Sequence, residues 1–306
     1  MINNSHKWQK LGQIIKPDPG IPWMSTYTGP ATLFSIDDNG LAEIYVTGRD
    51  QKNRSQIGKI IIDINEPSKA LNIIENPVFT FGELGSFDEN GVSYPNIVCH
   101  GDDTFMYYVG WMPTVLTPFQ NHIGLAKLGH DNQWRRVSRA PILERTNDEY
   151  QSLGSVSVIV EQNIWKMWYT CFLRWGEPHE HKHYYVIKYA ESKDGITWVR
   201  PGNICINIEN TSEYAIGKPS VIKLKDLYHM WYSYRGEQYR IGYAWSKDGI
   251  HWTRRDDLSH IGLSPDGWDS KAICYSSVFL YGKDLYMLYN GNYYGKEGLG
   301  LGKLCL

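Results

Sequence analysis

The sequence predicts an all-β chain, a five-bladed β-propeller whose N-terminal strand completes the last blade. Three observations predict it. A strand-like pattern recurs five times along the 306 residues. Asp-Gly pairs stand where tight hairpins are needed. The last repeat ends one strand short, and the first residues supply a segment of the missing kind. Self-similarity at a fixed period is the signature of a repeat architecture.

Each repeat uses the same parts. A small-residue segment comes first: GPATLFS, VSYPNIVC, LGSVSVIV, GKPSVIKL and ICYSSVFL. An aromatic segment follows: AEIYVTGR, TFMYYVGW, IWKMWYTC, LYHMWYSYRG and LYMLYNGN. After a variable loop come QIGKIIID, HIGLAKLG, VIKYAESKDG, RIGYAWSKDG and LGLGKLCL. A Trp segment then closes three of the units: Gln133-Trp134-Arg135, Thr197-Trp198-Val199 and His251-Trp252-Thr253. Alternation and β-branched or aromatic content mark strands, and no segment has the pattern of an amphipathic helix. Four-stranded units set radially make a propeller, which leaves only short, protected sheet edges.

The fifth unit stops at Leu306 without its Trp segment. At the other end of the chain, Lys7-Trp8-Gln9-Lys10-Leu11 reads like Gln133-Trp134-Arg135-Arg136-Val137. It is predicted to close the ring, making residues 1–306 a single domain. Ser192-Lys193-Asp194-Gly195 and Ser246-Lys247-Asp248-Gly249 sit between the third and fourth strands. They read as turns rather than as catalytic or metal-binding acids, because glycine supplies the positive φ that such hairpins require.

A net charge of −2 gives no basic field for nucleic acid or membrane, so neither is expected as a partner. The aromatics lean to 22 Tyr and 12 Trp over 8 Phe. Tyr and Trp offer an apolar face with a polar tip, which suits a sugar surface. Five scattered cysteines without a CxxC pair read as free thiols. The polar start lacks a signal-peptide core, and no stretch is long and apolar enough to span a bilayer. The expected location is cytoplasmic.

Topology sorts the loops. Those before each inner strand share one face with those joining the second and third strands. The loops before the inner strands carry acids: Asp88 and Glu89, Asp148 and Glu149, Glu213, and Asp269. Four blades are therefore expected to aim a carboxylate near the axis. The first blade has Asp18 as its nearest acid. The joining loops carry cations and aromatics: Arg49 and Arg54, Trp111, Arg174 and Trp175, Arg235 and Arg240, and Asn290 and Tyr294. An aromatic-lined concavity with converging polar groups is a ligand site. Trp168 and Trp231 read as core. In His179-Glu180-His181-Lys182-His183 the histidines would share one face of a strand. The interleaved Glu and Lys favour a solvated loop, with His183 as a sugar contact and no metal.

The segments Thr47-Gly48-Arg49-Asp50, Gly85 to Gly91, Tyr189 to Gly195, Glu213 to Ile216, Met230 to Gly236, Gly267 to Ser270 and Tyr289 to Asn292 carry a resemblance. The chain resembles the five-bladed glycoside hydrolase propellers of families 43, 32, 68 and 130. A narrower resemblance is to uncharacterised glycosyl-hydrolase-like proteins found with sugar-nucleotide and surface-polysaccharide genes. The hydrolases of this fold use acids around the axis, and glycosidic cleavage needs a carboxylate pair. The resemblance implies Asp88 as base or nucleophile and Glu213 as proton donor. It leaves Asp269 to bind sugar or to tune its neighbours by like charge. Phosphorylases of this fold place basic residues for phosphate, which Arg49, Arg54, Arg235 and Arg240 match. Trp111, Glu149, His183, Asn290 and Tyr294 complete the expected substrate contacts.

The implied function is a carbohydrate-active enzyme, a glycoside hydrolase or phosphorylase without cofactor. Two other readings stand beside it. One is a sugar-phosphate or nucleotide-sugar enzyme of surface-glycan synthesis; the other is a non-catalytic sugar-binding propeller. The partner in every case is a small carbohydrate or a sugar phosphate.

Overall fold

A computed structural model describes residues 6–67, 70–178 and 182–306. The first strand, β1 (Gln9–Ile15), belongs to the last blade. Blade one holds β2 (Tyr27–Ile36), β3 (Leu41–Arg49), β4 (Ser55–Asp63) and β5 (Asn72–Ile73). Blade two holds β6 (Gly91–His100), β7 (Asp103–Met112), β8 (Gln120–Leu128) and β9 (Trp134–Arg136). Blade three holds β10 (Leu153–Glu161), β11 (Ile164–Trp175), β12 (His183–Ser192) and β13 (Trp198–Val199), with β14 (Ile204–Ile206) also on β12. Blade four holds β15 (Ala215–Leu224), β16 (Leu227–Arg235), β17 (Tyr239–Ser246) and β18 (Trp252–Arg254). Blade five holds β19 (Cys274–Tyr281), β20 (Asp284–Asn290) and β21 (Leu299–Cys305), and β1 pairs with β21 as its fourth strand. Every blade is an antiparallel meander. The inner strands β2, β6, β10, β15 and β19 touch in ring order, and β19 meets β2 to close it. The fold is thus the all-β five-bladed propeller that the repeat predicts.

Apolar side chains fill the gaps between blades. Trp231, Ile241 and Tyr243 of blade four pack on Ile273, Val278, Leu285 and Met287 of blade five. Burying such aromatic faces is what replaces a single central core. Glycines let loop aromatics settle over the strands. The Trp23 ring lies on Gly58 and the Trp268 ring on Gly300, where a Cβ would overlap the indole. Gly58→Ala is therefore expected to cost about 1–3 kcal/mol through overpacking. Its melting temperature against wild type checks this; an unchanged value would remove the constraint.

The Asp-Gly turns lie at the opposite end from the pocket. Asp194 Oδ1 accepts from the N–H of Ile196 and Thr197, and Asp248 Oδ1 from those of Ile250 and His251. Gly195 and Gly249 have φ of 73° and 82°. These backbone donors hold the Asp194 carboxyl below its ordinary range. The turns also tie blades together: Gly195 O accepts from Tyr107 Oη at 2.7 Å, and Gly249 O from Trp168 Nε1 at 2.7 Å.

All five inner strands carry a β-bulge near the pocket end, after their first to third residue. In three of them the bulge holds a non-glycine residue in the left-handed region: Tyr94 (φ 54°), Lys218 (φ 51°) and Tyr275 (φ 57°). Such backbone is strained and persists only where surroundings over-determine it. Here each strained N–H bonds to a hydroxyl of the preceding blade. Tyr94 N donates to Thr47 Oγ1 at 3.1 Å, Lys218 N to Thr170 Oγ1 at 3.2 Å, and Tyr275 N to Ser233 Oγ at 2.8 Å. The bulge re-aims a side chain that would otherwise follow the strand.

Candidate functional site

A cavity of about 450 Å³ opens at one end of the axis, and all five blades line it. Strand geometry decides which residues arrive there. The first residues of the inner strands and the last residues of the second strands meet at this end. That places Tyr27, Tyr94, Ser155, Lys218 and Tyr275 beside Arg49, Trp111, Phe172 and Arg235. Tyr185 and Tyr239 enter from the third strands, and Tyr294 from the loop after β20.

Two arginines face the cavity without an ion pair among the described residues. Arg235 lies over three rings, those of Tyr214, Tyr239 and Tyr294, at 5.2–5.4 Å. Arg49 lies over Tyr27 and Trp111, and its Nη1 donates to Asn53 Oδ1 at 3.0 Å. The Nε of each arginine is buried without a hydrogen-bond partner. Trp111 is fixed by its Nε1, which donates to Ser55 Oγ of the neighbouring blade at 2.7 Å. Guanidinium groups over aromatic faces are attracted to the ring electrons yet keep their N–H edges for a ligand.

The tyrosines form one continuous group. The hydroxyls of Tyr185 and Tyr239 share a hydrogen bond, and the rings of Tyr94, Tyr275, Tyr239 and Tyr294 pack in succession, edge to face at both ends and tilted between Tyr275 and Tyr239. Burial pushes the Tyr94 hydroxyl up to about 12 and those of Tyr27, Tyr185 and Tyr275 well above their ordinary value. All four remain protonated at neutral pH, so they donate hydrogen bonds and carry no charge. The described lining then contains cations, Arg49, Arg235, Lys218 and Lys296, but no Asp or Glu.

The acids expected at the axis are elsewhere. Each is drawn into its own blade by a cation on an outer strand. Asp88 accepts from Arg136 Nε of β9 at 2.8 Å and from Tyr108 Oη at 3.1 Å. Asp269 accepts from Lys10 Nζ of β1 at 2.6 Å and Tyr289 Oη at 3.0 Å. Glu213 forms a two-pronged pair with Arg254 of β18, at 2.7 and 2.9 Å. Glu149 accepts from Tyr169 Oη, Lys188 Nζ and Arg200 Nη1. One arrangement therefore recurs in blades two, three and five: loop acid, second-strand tyrosine and outer cation. The ion pairs pull the carboxylates away from the axis, which corrects the expectation of a carboxylate ring there. Asp18 is exposed and bonds to the N–H of Gly20.

Of the other expected contacts, Arg49, Trp111, His183, Arg235 and Tyr294 line the cavity. Arg54 does not; it pairs with Asp50 at 2.8 Å and stacks on Phe81. Arg240 donates to the carbonyls of Tyr239 and Lys271 instead. Asn290 is buried behind the lining, where its Nδ2 donates to Thr28 O and helps close blade five on blade one. His179, Glu180 and His181 lie outside the described residues. Among the described residues no group of three or more His, Cys, Asp or Glu could hold a metal. Trp168 and Trp231 are fully buried, as core residues should be.

Sequence reasoning passed over the tyrosine group and Lys218. One signal was present. Gly29-Pro30, Tyr94-Pro95 and Lys218-Pro219 fall at equivalent points of the repeat. The shared proline marks the bulge, and the residue before it varies from glycine to tyrosine and lysine.

No family model matches the chain. Two uncharacterised proteins of Mycobacterium tuberculosis, from strains CDC 1551 / Oshkosh and ATCC 25618 / H37Rv, are each 35% identical over 302 residues. Each alignment covers 97% of this chain and 99% of the relative. Solved structures with the same fold include a glycoside hydrolase at TM-score 0.73 and 18% identity, covering 97% of this chain and 92% of that one. A structure from the family-130 mannoside phosphorylases, described as containing glycoside hydrolases that target β-1,2-mannosidic linkages, gives 0.70 at 12% identity, over 99% and 95%. A thermostable family-43 glycoside hydrolase gives 0.67 at 16% identity, over 95% and 91%.

Proposed function

The chain belongs to the family of these two mycobacterial proteins and has the fold of glycoside-hydrolase-like propellers, and on that premise we propose that its axial pocket takes a carbohydrate bearing an anionic group. The observation that supports this reading is the charge of the lining. Arg49 and Arg235 make no ion pair and each keeps its Nε free of a partner, buried tyrosine hydroxyls stand between them, and no carboxylate opposes them among the described residues. Guanidinium matches phosphate and carboxylate through its fork of donors. The aromatic faces of Trp111, Phe172 and Tyr294 suit the apolar side of a sugar ring.

In this reading the protein works on a sugar phosphate or nucleotide sugar. Fixed cations and neutral hydroxyl donors can stabilise negative charge that grows on a departing phosphate oxygen. Asp88, Glu213 and Asp269 take structural roles, since each already satisfies a cation of its own blade. Hydrolysis through a carboxylate pair would need at least two of them to leave those ion pairs.

The test is a thermal-shift panel of neutral oligosaccharides, sugar phosphates and nucleotide sugars on wild type and Arg235→Ala. A ligand held at about 100 times its Kd adds about 2.7 kcal/mol, enough to see as a melting shift. A shift with phosphorylated sugars that Arg235→Ala abolishes is expected. A shift with neutral sugars that survives the substitution would return the protein to glycoside hydrolysis.

A further inference from the structure

Below the main cavity lies a second one of about 200 Å³, further along the same axis. Its walls come from the next residues of the inner strands: Thr32, Asn96, Ser157, Ser220 and Ser277. Three of these polar groups are already used between blades. Val158 N donates to Asn96 Oδ1, Val221 N to Ser157 Oγ and Val278 N to Ser220 Oγ. The lining residue common to both cavities is Lys218.

Lys218 is unusual in three respects. It is only 6% exposed. Its ammonium donates to a single protein group, the carbonyl of Ser276, at 3.3 Å, and pairs with no acid among the described residues. Its backbone is held in the left-handed region, and the bulge that holds it turns its side chain out of the strand pattern. A lysine at a packed position is normally paired or replaced, because burying an uncompensated charge is expensive. Backbone strain and a bare charge at one residue, on the axis and at the foot of a ligand-sized cavity, call for a compensating group that the protein itself does not supply.

We propose that Lys218 forms a deep subsite at the foot of the axial pocket that binds the anionic group, phosphate or carboxylate, of the ligand. The proposal deepens the reading of the pocket as an anionic-sugar site and assigns the seat of the charge. The arginines at the mouth then hold the rest of the ligand, or a second charge. The titratable groups facing the same space are Tyr27, Tyr94, Tyr185, Tyr239, Tyr275, Tyr293, Tyr294 and His183, with Arg49, Arg235 and Lys296 as further cations. Burial lowers Lys218 to about 8, so above that pH the empty site holds a neutral amine. An arriving anion favours the ammonium, and binding then draws a proton from solution.

The experiment is titration calorimetry of the full chain with inorganic phosphate and, separately, with glucuronate, at pH 8.5 in two buffers of different ionisation enthalpy. Wild type, Lys218→Met, Lys218→Arg and Arg235→Ala are compared, each first checked for a cooperative melt. Wild type is expected to bind at least one of the anions with proton uptake. Which anion binds decides between phosphate and carboxylate. Lys218→Met weakens it by about tenfold or more, the effect of losing one charged hydrogen bond, and abolishes the proton uptake. Lys218→Arg keeps the affinity and loses the uptake, because arginine does not titrate there. Equal affinity and equal proton uptake in wild type and Lys218→Met would overturn the subsite. The two readings fail separately. If sugar phosphates bind through Arg235 while Lys218→Met is neutral, the deep subsite is wrong. If phosphate binds through Lys218 but no sugar phosphate shifts the wild-type melt, the anionic-sugar reading is wrong and the subsite stands.

Discussion

Glu149→Gln is expected to destabilise the protein by about 3–5 kcal/mol, the range for breaking a buried ion pair by removing one partner. The carboxylate is 5% exposed and accepts from Tyr169, Lys188 and Arg200. The amide keeps the shape but removes the charge. It leaves two largely buried cations, at 3.0 and 2.9 Å, without their counter-ion. One amide oxygen cannot replace four acceptor contacts, and the amide nitrogen would face donors. Urea denaturation followed by tryptophan fluorescence measures the loss. A change under about 1 kcal/mol would place Glu149 with ordinary surface pairs and free it for the substrate-binding role that its position in the sequence suggests. The same logic covers Asp88 and Asp269, whose clusters have the same three parts.

Lys218→Met should act in the opposite direction and stabilise the unliganded protein at neutral pH. Burial lowers the lysine from 10.5 to about 8. That lowering corresponds to a penalty on the order of 3 kcal/mol for the charged form in the native state. The sign follows from proton counting. Below about pH 8 both states hold the proton, and the native state carries the full cost. Between about 8 and 10.5 the native state sheds it while the unfolded chain keeps it. The unfolded state then binds more protons, and wild-type stability rises with pH through that window. The gain from Lys218→Met is therefore largest at pH 7 and shrinks toward pH 10.5. Urea midpoints of both proteins at pH 7 and pH 10 test this. An equal gain at both values, or a loss at pH 7, would mean that the buried charge is not what the substitution removes. A residue that costs the resting protein stability yet faces a cavity is one that binding, not folding, has reason to keep.

Much of the architecture was legible in the residues. The five aromatic segments, the Ser-Lys-Asp-Gly turns and the Trp8 segment that matches Trp134 all follow local rules of period and turn chemistry. Such rules act over a few residues, so a sequence states them directly. The repeat also told which loops share a face, and Arg49, Trp111, His183, Arg235 and Tyr294 do meet in the cavity.

Side-chain direction was not legible. Asp88, Glu149, Glu213 and Asp269 sit in the loops where axial acids were expected, yet the cations they pair with lie 39 to 259 residues away along the chain. An acid at a loop end can turn to the axis or back into its blade, and the choice belongs to whichever cation arrives there. Lys10 reaches Asp269 only because the first strand closes the last blade. The same holds for Lys218. Its sequence context is a lysine before a proline in a strand of small residues, and nothing local makes it special. Its burial comes from the inner strands meeting at the axis, and its strained backbone is held by Thr170 of the preceding blade. The repeat by itself determined the ring; the meeting of its five blades at the axis decided the charge of the pocket, because burial and pairing are set by neighbours that are distant along the chain.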